Sequence, residues 1–429
     1  MLSREDNELL TRVGPGTGMG ELMRRFWMPV MLSAEIGEPD CTPVRVSLLG
    51  ERLIAFRDTD GRVGVVDEHC PHRLSSLYFG RNEECGIRCI YHGWKFDVDG
   101  NCVDMPSEPA DSNYKTKVKL KAYPVREAGG VVWAYMGPAE KMGEPPAFDW
   151  MDVPDDHRFA SRWVQDCNYA QCVEGEIDSA HVSFLHSLVN RSSGNKAALT
   201  GSYFTGDTAP KWKVIDTDWG MTLGARRVTD EGRFYWRMNQ WYFPFYTMIA
   251  PVPGEARSFR MWVPSDDTHT SIICVSFRED GPVSQREVDA WRKGENSHAA
   301  RIPGTLQPAR NLSNDYLIDR EKQRTETFSG IDGIRAQDAA MVESAGPIAD
   351  RTREHLGTSD TAVIRMRRLL LGAAKALADG REPGAAAGGS LYTVRSHSTV
   401  IDETGDFDEY PEILEAMGFD SRSAVEAAE

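Results

Sequence analysis

His69–Trp94 reads HCPHRLSSLYFGRNEECGIRCIYHGW. Two short knuckles frame it: Cys70-Pro71-His72 and, after sixteen residues, Cys89-Ile90-Tyr91-His92. Each knuckle offers one thiol and one imidazole. A structural zinc site usually groups like ligands, as Cys-x2–4-Cys followed by His-x3–5-His. Two thiolates for one iron and two imidazoles for the other are the ligand set of a Rieske [2Fe–2S] centre, whose neutral His ligands raise its potential above that of an all-Cys cluster. Cys70, His72, Cys89 and His92 are therefore the expected cluster ligands, with structural zinc as the competing reading.

The knuckles lie in a block of short strands. From Pro43 to Gly137, VRVSLLG, RLIAFRD and VGVVDE are rich in β-branched residues and divided by Gly or Asp turns. KTKVKLKAYPV (115–125) alternates charged and apolar residues as a half-buried strand would, and VVWAYMG closes the block. The cluster ligands would sit at loop tips of this all-β unit. Ahead of it, residues 5–30 show a helical apolar face (Leu9, Leu10, Val13, then Leu22, Met23, Phe26) broken by GPGTGMG. GPAEKMGEPPAF (137–148) has linker character.

Beyond the linker, KWKVID, MTLGARRV, RFYWRMNQWYF, SFRMWVP and TSIICVSF read as strands separated by turns, which suits an antiparallel sheet. In TAVIRMRRLLLGAAKALADG, Val363, Met366, Leu370, Ala373 and Leu377 follow helical spacing, and Gly380 is placed to stop the helix. PGAAAGGS (383–390) is expected to be a flexible loop, and the acidic tail after Asp402 to be surface.

At 429 residues the chain has room for two or three domains. Its net charge of −16 argues against a nucleic-acid surface. No apolar run approaches the roughly 20 residues of a membrane span. The start, MLSREDNELL, lacks a signal-peptide pattern, so a cytoplasmic location is expected. Eight scattered cysteines in a reducing compartment are poor disulfide candidates.

A second constellation lies in NYAQCVEGEIDSAHVSFLH, which carries Asn168, Gln171, Glu174, Asp178, His181 and His186. Residues 166–187 have a helical pattern. Five residues of helix separate two side chains by roughly 140°, so the helix must end or distort between His181 and His186 for both to meet one metal. Asp178 lies one helical turn before His181 and can accept from its free ring nitrogen. Two His and one carboxylate leave open positions for O2 on Fe(II). Proximity in sequence does not single out the third ligand among 65 acids.

The motifs CPHR and CIYHGW, with GVVDEHCPHR, CVDMPSEP, EGEIDSAHVSFLH, NDYLIDREKQ and AQDAAMVES, resemble the phthalate 4,5-dioxygenase group of Rieske non-haem iron oxygenases, terminal oxygenase component, over nearly the whole chain. The resemblance implies an α+β chain. A helical segment (1–25) precedes a β-rich Rieske domain (26–140) and a helix-grip catalytic domain (141–429), whose antiparallel sheet folds around the long C-terminal helix with iron and substrate between them. It implies Asp338 as third ligand of the mononuclear iron beside His181 and His186; should Asp338→Ala keep full activity, Glu343 and Glu174 are the next carboxylates to test. It further implies that Asn168 lies near the iron. Asp178 would bridge His92 of one subunit to His181 of the next in a homotrimer or a pair of trimers.

The implied reaction is hydroxylation, specifically cis-dihydroxylation, of an aromatic acid such as a phthalate or substituted benzoate. O-demethylation of a methoxylated, lignin-derived acid is the alternative within the group. An electron-transfer protein, which needs only residues up to about Gly137, is the alternative outside it. The chain has no nucleotide fingerprint, flavin motif or all-Cys ferredoxin pattern, so NAD(P)H would be oxidised on a separate flavin and ferredoxin-type reductase. A carboxylate substrate should meet an Arg or Lys. Lys211, Arg226, Arg227, Arg237 and Arg260 are candidates, with Arg226 and Arg227 on opposite faces. The run FYWRMNQWYFPFYTM offers aromatic walls. Glu176 adds a negative charge that counts against phthalate itself.

Overall fold

The computed structural model describes residues 1–189, 202–251, 254–401 and 405–419. Ser3 starts α1 (Arg4–Thr11), its hydroxyl accepting from Asp6 N at 3.0 Å, and Thr17 caps α2 (Gly18–Met23) in the same way. Gly20 is required here, because a Cβ would lie 2.4 Å from the carbonyl oxygens of Val13 and Gly14. The expected helical face ends with α2. Trp27–Leu32 is a strand, pairing antiparallel with Val131–Tyr135, which pairs in turn with Val125–Ala128.

Val44–Leu48, Glu51–Arg57 and Val63–Asp67 form a second sheet, in the segments expected. Four very short strands between Arg81 and Asp104 form a third, which carries the second knuckle. The alternation in 115–125 does not produce a strand. Tyr114–Lys117 is a 3-10 turn, and only isolated bridges at Lys119 and Ala122 precede the strand that begins at Val125. Every lysine in the run is exposed and Pro124 lacks an N–H, so no ladder forms. Ile54, Phe56, Val66, Leu77, Ile87 and Phe96 make a small separate core beneath the knuckles.

The second half is built on an eight-stranded antiparallel sheet, in the order Arg158–Gln165, Thr270–Phe277, Arg257–Pro264, Tyr246–Ile249, Phe234–Tyr242, Gly220–Val228, Lys211–Thr217, with His397–Ile401 also paired to Phe234–Tyr242. Three of these strands escape the pattern. Arg158–Gln165 hides Arg162 on a buried face through its ion pair with Glu35 at 2.6 Å. Tyr246–Ile249 merges with the aromatic run before it, and His397–Ile401 is too polar to signal.

The long helix Thr361–Ala378 ends just before Gly380, whose φ is +83°. It packs on α1, α2 and the strand Lys211–Thr217. Met366 and Leu370 are wholly buried, each contributing roughly 1.5–3 kcal/mol. Arg367 is buried with them because it pairs with Glu174 at 2.7 Å and Glu354 at 2.6 Å.

The Ala/Gly tract is not a free loop. Gly384–Ala387 is a 3-10 turn docked on the linker: Glu144 N donates to Ala387 O at 3.1 Å, and Tyr392 Oη to Ala385 O at 2.9 Å. The acidic tail falls partly outside the described residues, and its described part is not all surface, since the helix Pro411–Met417 buries Ile413, Leu414 and Met417.

Candidate metal centres

The two knuckles share one hydrogen-bond pattern. Cys70 O accepts from Leu74 N and Cys89 O from Gly93 N, both at 2.9 Å. Cys70 N donates to Ser75 O at 2.9 Å and Cys89 N to Trp94 O at 2.8 Å. Each turn closes through a left-handed residue, Leu74 at φ +59° and Gly93 at φ +79°. Leu74 bears a strain of roughly 1–2 kcal/mol there. The pattern buries Cys70 and Cys89 in the same small core. Burial pushes the Cys70 thiol up to about 12, and Cys89 adds to it. His72 and His92 lie side by side with ring centroids 4.4 Å apart, and Trp94 stacks on His72 at 4.3 Å. His92 Nδ1 is buried without a hydrogen-bond partner among the described residues. Two thiols, two imidazoles and an orphaned ring nitrogen in one place fit a Rieske cluster.

The second site depends on a broken helix. α3 (Tyr169–Ile177) ends at Asp178, which is extended, and α4 (Val182–Leu185) lies between His181 and His186. Asp178 therefore meets His181 across a turn rather than along a helix face. Asp178 Oδ1 accepts from Ala180 N at 2.7 Å, and Oδ2 lies 3.4 Å from His181 Nδ1. Arg227, fully buried, holds the break through Nη1 to Ser179 Oγ at 3.3 Å and Nη2 to Ser179 O.

The turn aims both histidines at Asp338, on the helix Ile334–Ser344. Asp338 Oδ1 is 3.5 Å from His181 Nε2 and 3.1 Å from His186 Nε2, and a ligand atom of each residue lies within 4.8 Å of the others. His186 Nδ1 is bound to Gln337 Oε1 at 2.6 Å, and Gln337 Nε2 donates to Ile331 O at 2.7 Å. Both histidines thus have the distal ring nitrogen engaged and Nε2 free for the centre. Arg335 Nη2 donates to Asp338 Oδ2 at 2.6 Å, while Oδ1 has no hydrogen-bond partner. Burial raises the Asp338 carboxyl, but Arg335 and the histidines outweigh it and hold it well below the usual carboxylate range. Two imidazoles and an orphaned carboxylate oxygen converging on one point fit a 2-His-1-carboxylate iron site.

Other expected residues fall elsewhere. Asn168 is not beside the triad. Its Oδ1 caps α3 at Ala170 N, and its Nδ2 donates to Thr11 O at 2.9 Å and Asp267 O at 2.7 Å. That uses the whole amide to anchor the far end of the helix. Glu174 pairs with Arg351 and Arg367, and Glu343 accepts from Tyr316 Oη, so neither fallback carboxylate is in the triad. Tyr316 sits in a turn of three left-handed residues, Asp315, Tyr316 and Leu317, at φ +50°, +53° and +51°. The triad's carboxylate is on Ile334–Ser344, and the long helix supplies none of its atoms.

A cavity of about 240 Å³ is lined by Phe204, Arg237, Ser258, Arg260, Glu255 and Ile334, among others; no triad residue lines it, but Ile334 belongs to the helix that carries Asp338. The sheet register settles the cations. Arg226 stacks on Phe234 at 4.0 Å while Arg227 turns to the opposite, buried side. Lys211 is exposed. Arg237 and Arg260 reach the cavity. Glu176 is no bare negative charge, since it pairs with Arg260 and, at 3.0 Å, with Arg335. Arg237 has no hydrogen bond or ion pair to an acid among the described residues, and its Nε is an orphan. Burial lowers its pKa, with Tyr235 and Asp338 working against the shift. Of the aromatic run, Trp236, Trp241, Tyr242 and Tyr246 are core. Gln337 and Arg335 were not singled out from the sequence, though Arg335 precedes Asp338 by one helical turn and so shares its face.

The Rieske [2Fe-2S] domain family matches residues 26–124, and the family described as LigXa C-terminal domain like matches 134–427. The phthalate 4,5-dioxygenase oxygenase subunit of Pseudomonas putida is 44% identical over 395 residues, covering 89% of this chain and 88% of that protein. The 3-chlorobenzoate-3,4-dioxygenase oxygenase subunit of Comamonas testosteroni is 40% identical over 393 residues, covering 88% and 89%. Among solved structures, NdmA of Pseudomonas putida CBB5 superposes with a TM-score of 0.60 at 18% identity, over 91% of this chain and 100% of that one. That likeness extends to the fold.

Proposed function

The chain belongs to the Rieske oxygenase subunits with a LigXa-like C-terminal domain, and on that premise we propose that it is the terminal oxygenase of a multicomponent system that cis-dihydroxylates an aromatic acid. Cys70, His72, Cys89 and His92 hold the cluster; His181, His186 and Asp338 hold the iron. When bound, these groups supply one-electron transfer and O2 activation. A separate flavin and ferredoxin-type reductase supplies the electrons from NAD(P)H.

The observation that carries the substrate class is Arg237. Three buried guanidinium groups, Arg237, Arg260 and Arg335, face two buried carboxylates, Glu176 and Asp338. Among these five groups one positive charge is left over, that of Arg237; the cavity lining also carries Glu255, and Glu287, which pairs with Arg278. A desolvated cation of this kind is costly unless an anion joins it. A substrate carboxylate accepts from Arg237 and orients the ring. Phe204 and Ile249 supply apolar wall for the ring beside the polar Ser258, Ser276 and Asn296. Asp178 keeps His181 in the tautomer that offers Nε2, and Gln337 does the same for His186.

The subunits assemble head to tail. Leu74, Ile90 and Tyr91 expose more than half their surface at the knuckles, and Phe184 and Phe328 expose about half of theirs beside the triad. Two different apolar faces make a heterologous contact, which closes into a ring such as a trimer. Asp178, 27% exposed at its side chain, can then accept from His92 of the neighbouring subunit. Co-expressing His92→Ala with His181→Ala chains tests this: mixed rings should recover activity that neither parent has, and mixed rings without recovery would refute it.

The reaction is tested by supplying reductase, NADH and O2 with a panel of phthalates, benzoates and methoxybenzoates. A cis-diol from an aromatic acid is expected. Formaldehyde from the methoxy acids alone would replace dihydroxylation by demethylation, and turnover confined to uncharged aromatics would remove the role of Arg237.

A further inference from the structure

Glu176 stands between the cavity and the metal site, and its two oxygens face different arginines. Oε1 takes Arg260 Nη1, while Oε2 accepts from Arg335 Nη1 at 3.0 Å. Arg260 lines the cavity. Arg335 also donates to Asp338 Oδ2 at 2.6 Å. The row Arg260, Glu176, Arg335, Asp338 alternates in sign, and its side chains are only 7%, 5%, 5% and 12% exposed.

We propose that Glu176 is a positioning residue that couples carboxylate binding in the cavity to the donor strength of Asp338. This rests on the reading of the cavity as the aromatic acid's site. Charges in a buried row are weakly screened, so each responds to its neighbour's partners. The Nε groups of Arg260 and Arg335 have no partner among the described residues, so each guanidinium is held only along its Nη edge. A carboxylate arriving at Arg237 and Arg260 competes with Glu176 for Arg260. Glu176 then draws on Arg335 alone. Arg335 shifts its donation from Asp338 Oδ2 toward Glu176, and Asp338, less neutralised, becomes the better donor to a cation. Acid and metal therefore tighten each other's binding, by the same factor in both directions.

The test uses the full chain with its cluster in place and Co(II) as the probe of the mononuclear site. Co(II) affinity, read from its visible bands, is measured with and without saturating phthalate. Phthalate binding is measured separately by calorimetry. Phthalate should tighten Co(II) binding at least about fivefold in the unmodified protein, and less than about twofold in Glu176→Gln, which still binds phthalate. Direct attraction between acid and cation survives that substitution, so coupling undiminished in Glu176→Gln overturns the proposal, as does its absence from the unmodified protein. Should Glu176→Gln fail to fold, judged by its cluster absorption, Arg335→Lys is measured instead. Its single ammonium cannot serve two carboxylates as a fork does, and the same loss is expected. Phthalate that fails to bind at all, with Co(II) binding intact, removes the aromatic-acid reading and the coupling with it. Phthalate that binds without coupling removes the coupling alone.

Discussion

Gln337→Leu should loosen the mononuclear metal without touching the cluster. Gln337 is 1% exposed and makes two hydrogen bonds, one from Oε1 to His186 Nδ1 at 2.6 Å and one from Nε2 to Ile331 O at 2.7 Å. Leucine fills similar space and removes both. The first loss leaves a buried imidazole N–H unsatisfied, which costs about 1–3 kcal/mol. The ring can recover a partner only by turning or by changing tautomer, and either move takes Nε2 away from the metal. At 1.4 kcal/mol per decade, Co(II) or Fe(II) affinity should fall about 5- to 150-fold, in line with the usual weight of such outer contacts. Competition against a chromophoric chelator measures the affinity, and cluster absorption is the internal control. Gln337→Glu supplies the opposite sign. A carboxylate accepts more strongly from Nδ1–H and makes the imidazole a better donor, so its affinity should exceed that of the leucine variant by at least tenfold. If the leucine variant binds metal as tightly as the unmodified protein, the orienting role of Gln337 is wrong.

His298 predicts an acid limit to stability. Ser161 and Ser276 bond its two ring nitrogens at 2.7 and 2.9 Å, and burial lowers its pKa to about 3. The folded pKa lies below the unfolded value of about 6.5, so the unfolded chain binds the extra proton and stability is lost as pH falls from there toward 3. Between pH 6.5 and 5 the loss should be about 1.6 kcal/mol; urea midpoints should show it, and His298→Gln should flatten that part of the curve. Arg237→Gln should raise KM for an aromatic acid about 10- to 100-fold while kcat changes less, and an equal fall in both would place Arg237 in the chemical step instead. Tyr316→Phe leaves the buried Glu343 carboxylate without its hydroxyl partner and should cost about 1.5–3 kcal/mol in urea unfolding. An unchanged midpoint would mean that the left-handed turn at 315–317 relaxes when released.

The two centres differ in how they are written along the chain. The Rieske knuckles are legible because every expected ligand lies in a turn closed within six residues, so local sequence carries the geometry of each turn. His181 and His186 are legible as a pair for the same reason, and their five-residue spacing correctly requires the helix break. Asp338 arrives from a helix more than 150 residues away, and only resemblance points to it. Arg237 could be named as a candidate but not chosen, because its face depends on the register with Ala225 and Ser398. Glu176 was misjudged because a charge reads as bare until its partners, from a distant strand and a distant helix, are placed beside it. Asn168 is placed by a related effect: it caps the end of α3 opposite Asp178, where its amide bonds Thr11 and Asp267. The strand expected at 115–125 failed because alternation predicts a pleat only where a neighbouring strand offers its edge.

Asn168 has a consequence for how this chain can change. Its amide locks the start of α3 to Thr11 and Asp267, and Arg227 locks the end of the same segment at Ser179. Between these two clamps α3 is a ruler of fixed length. One residue added or removed between them rotates everything downstream by roughly 100° and shifts it by about 1.5 Å. His181 would then point away from Asp338 whatever its own identity. Point substitutions along α3 are limited by packing and can be absorbed singly, whereas insertions and deletions are forbidden by arithmetic. Alignments across relatives should therefore run without a gap from Asn168 to Ser179, and length variation should accumulate outside the clamps.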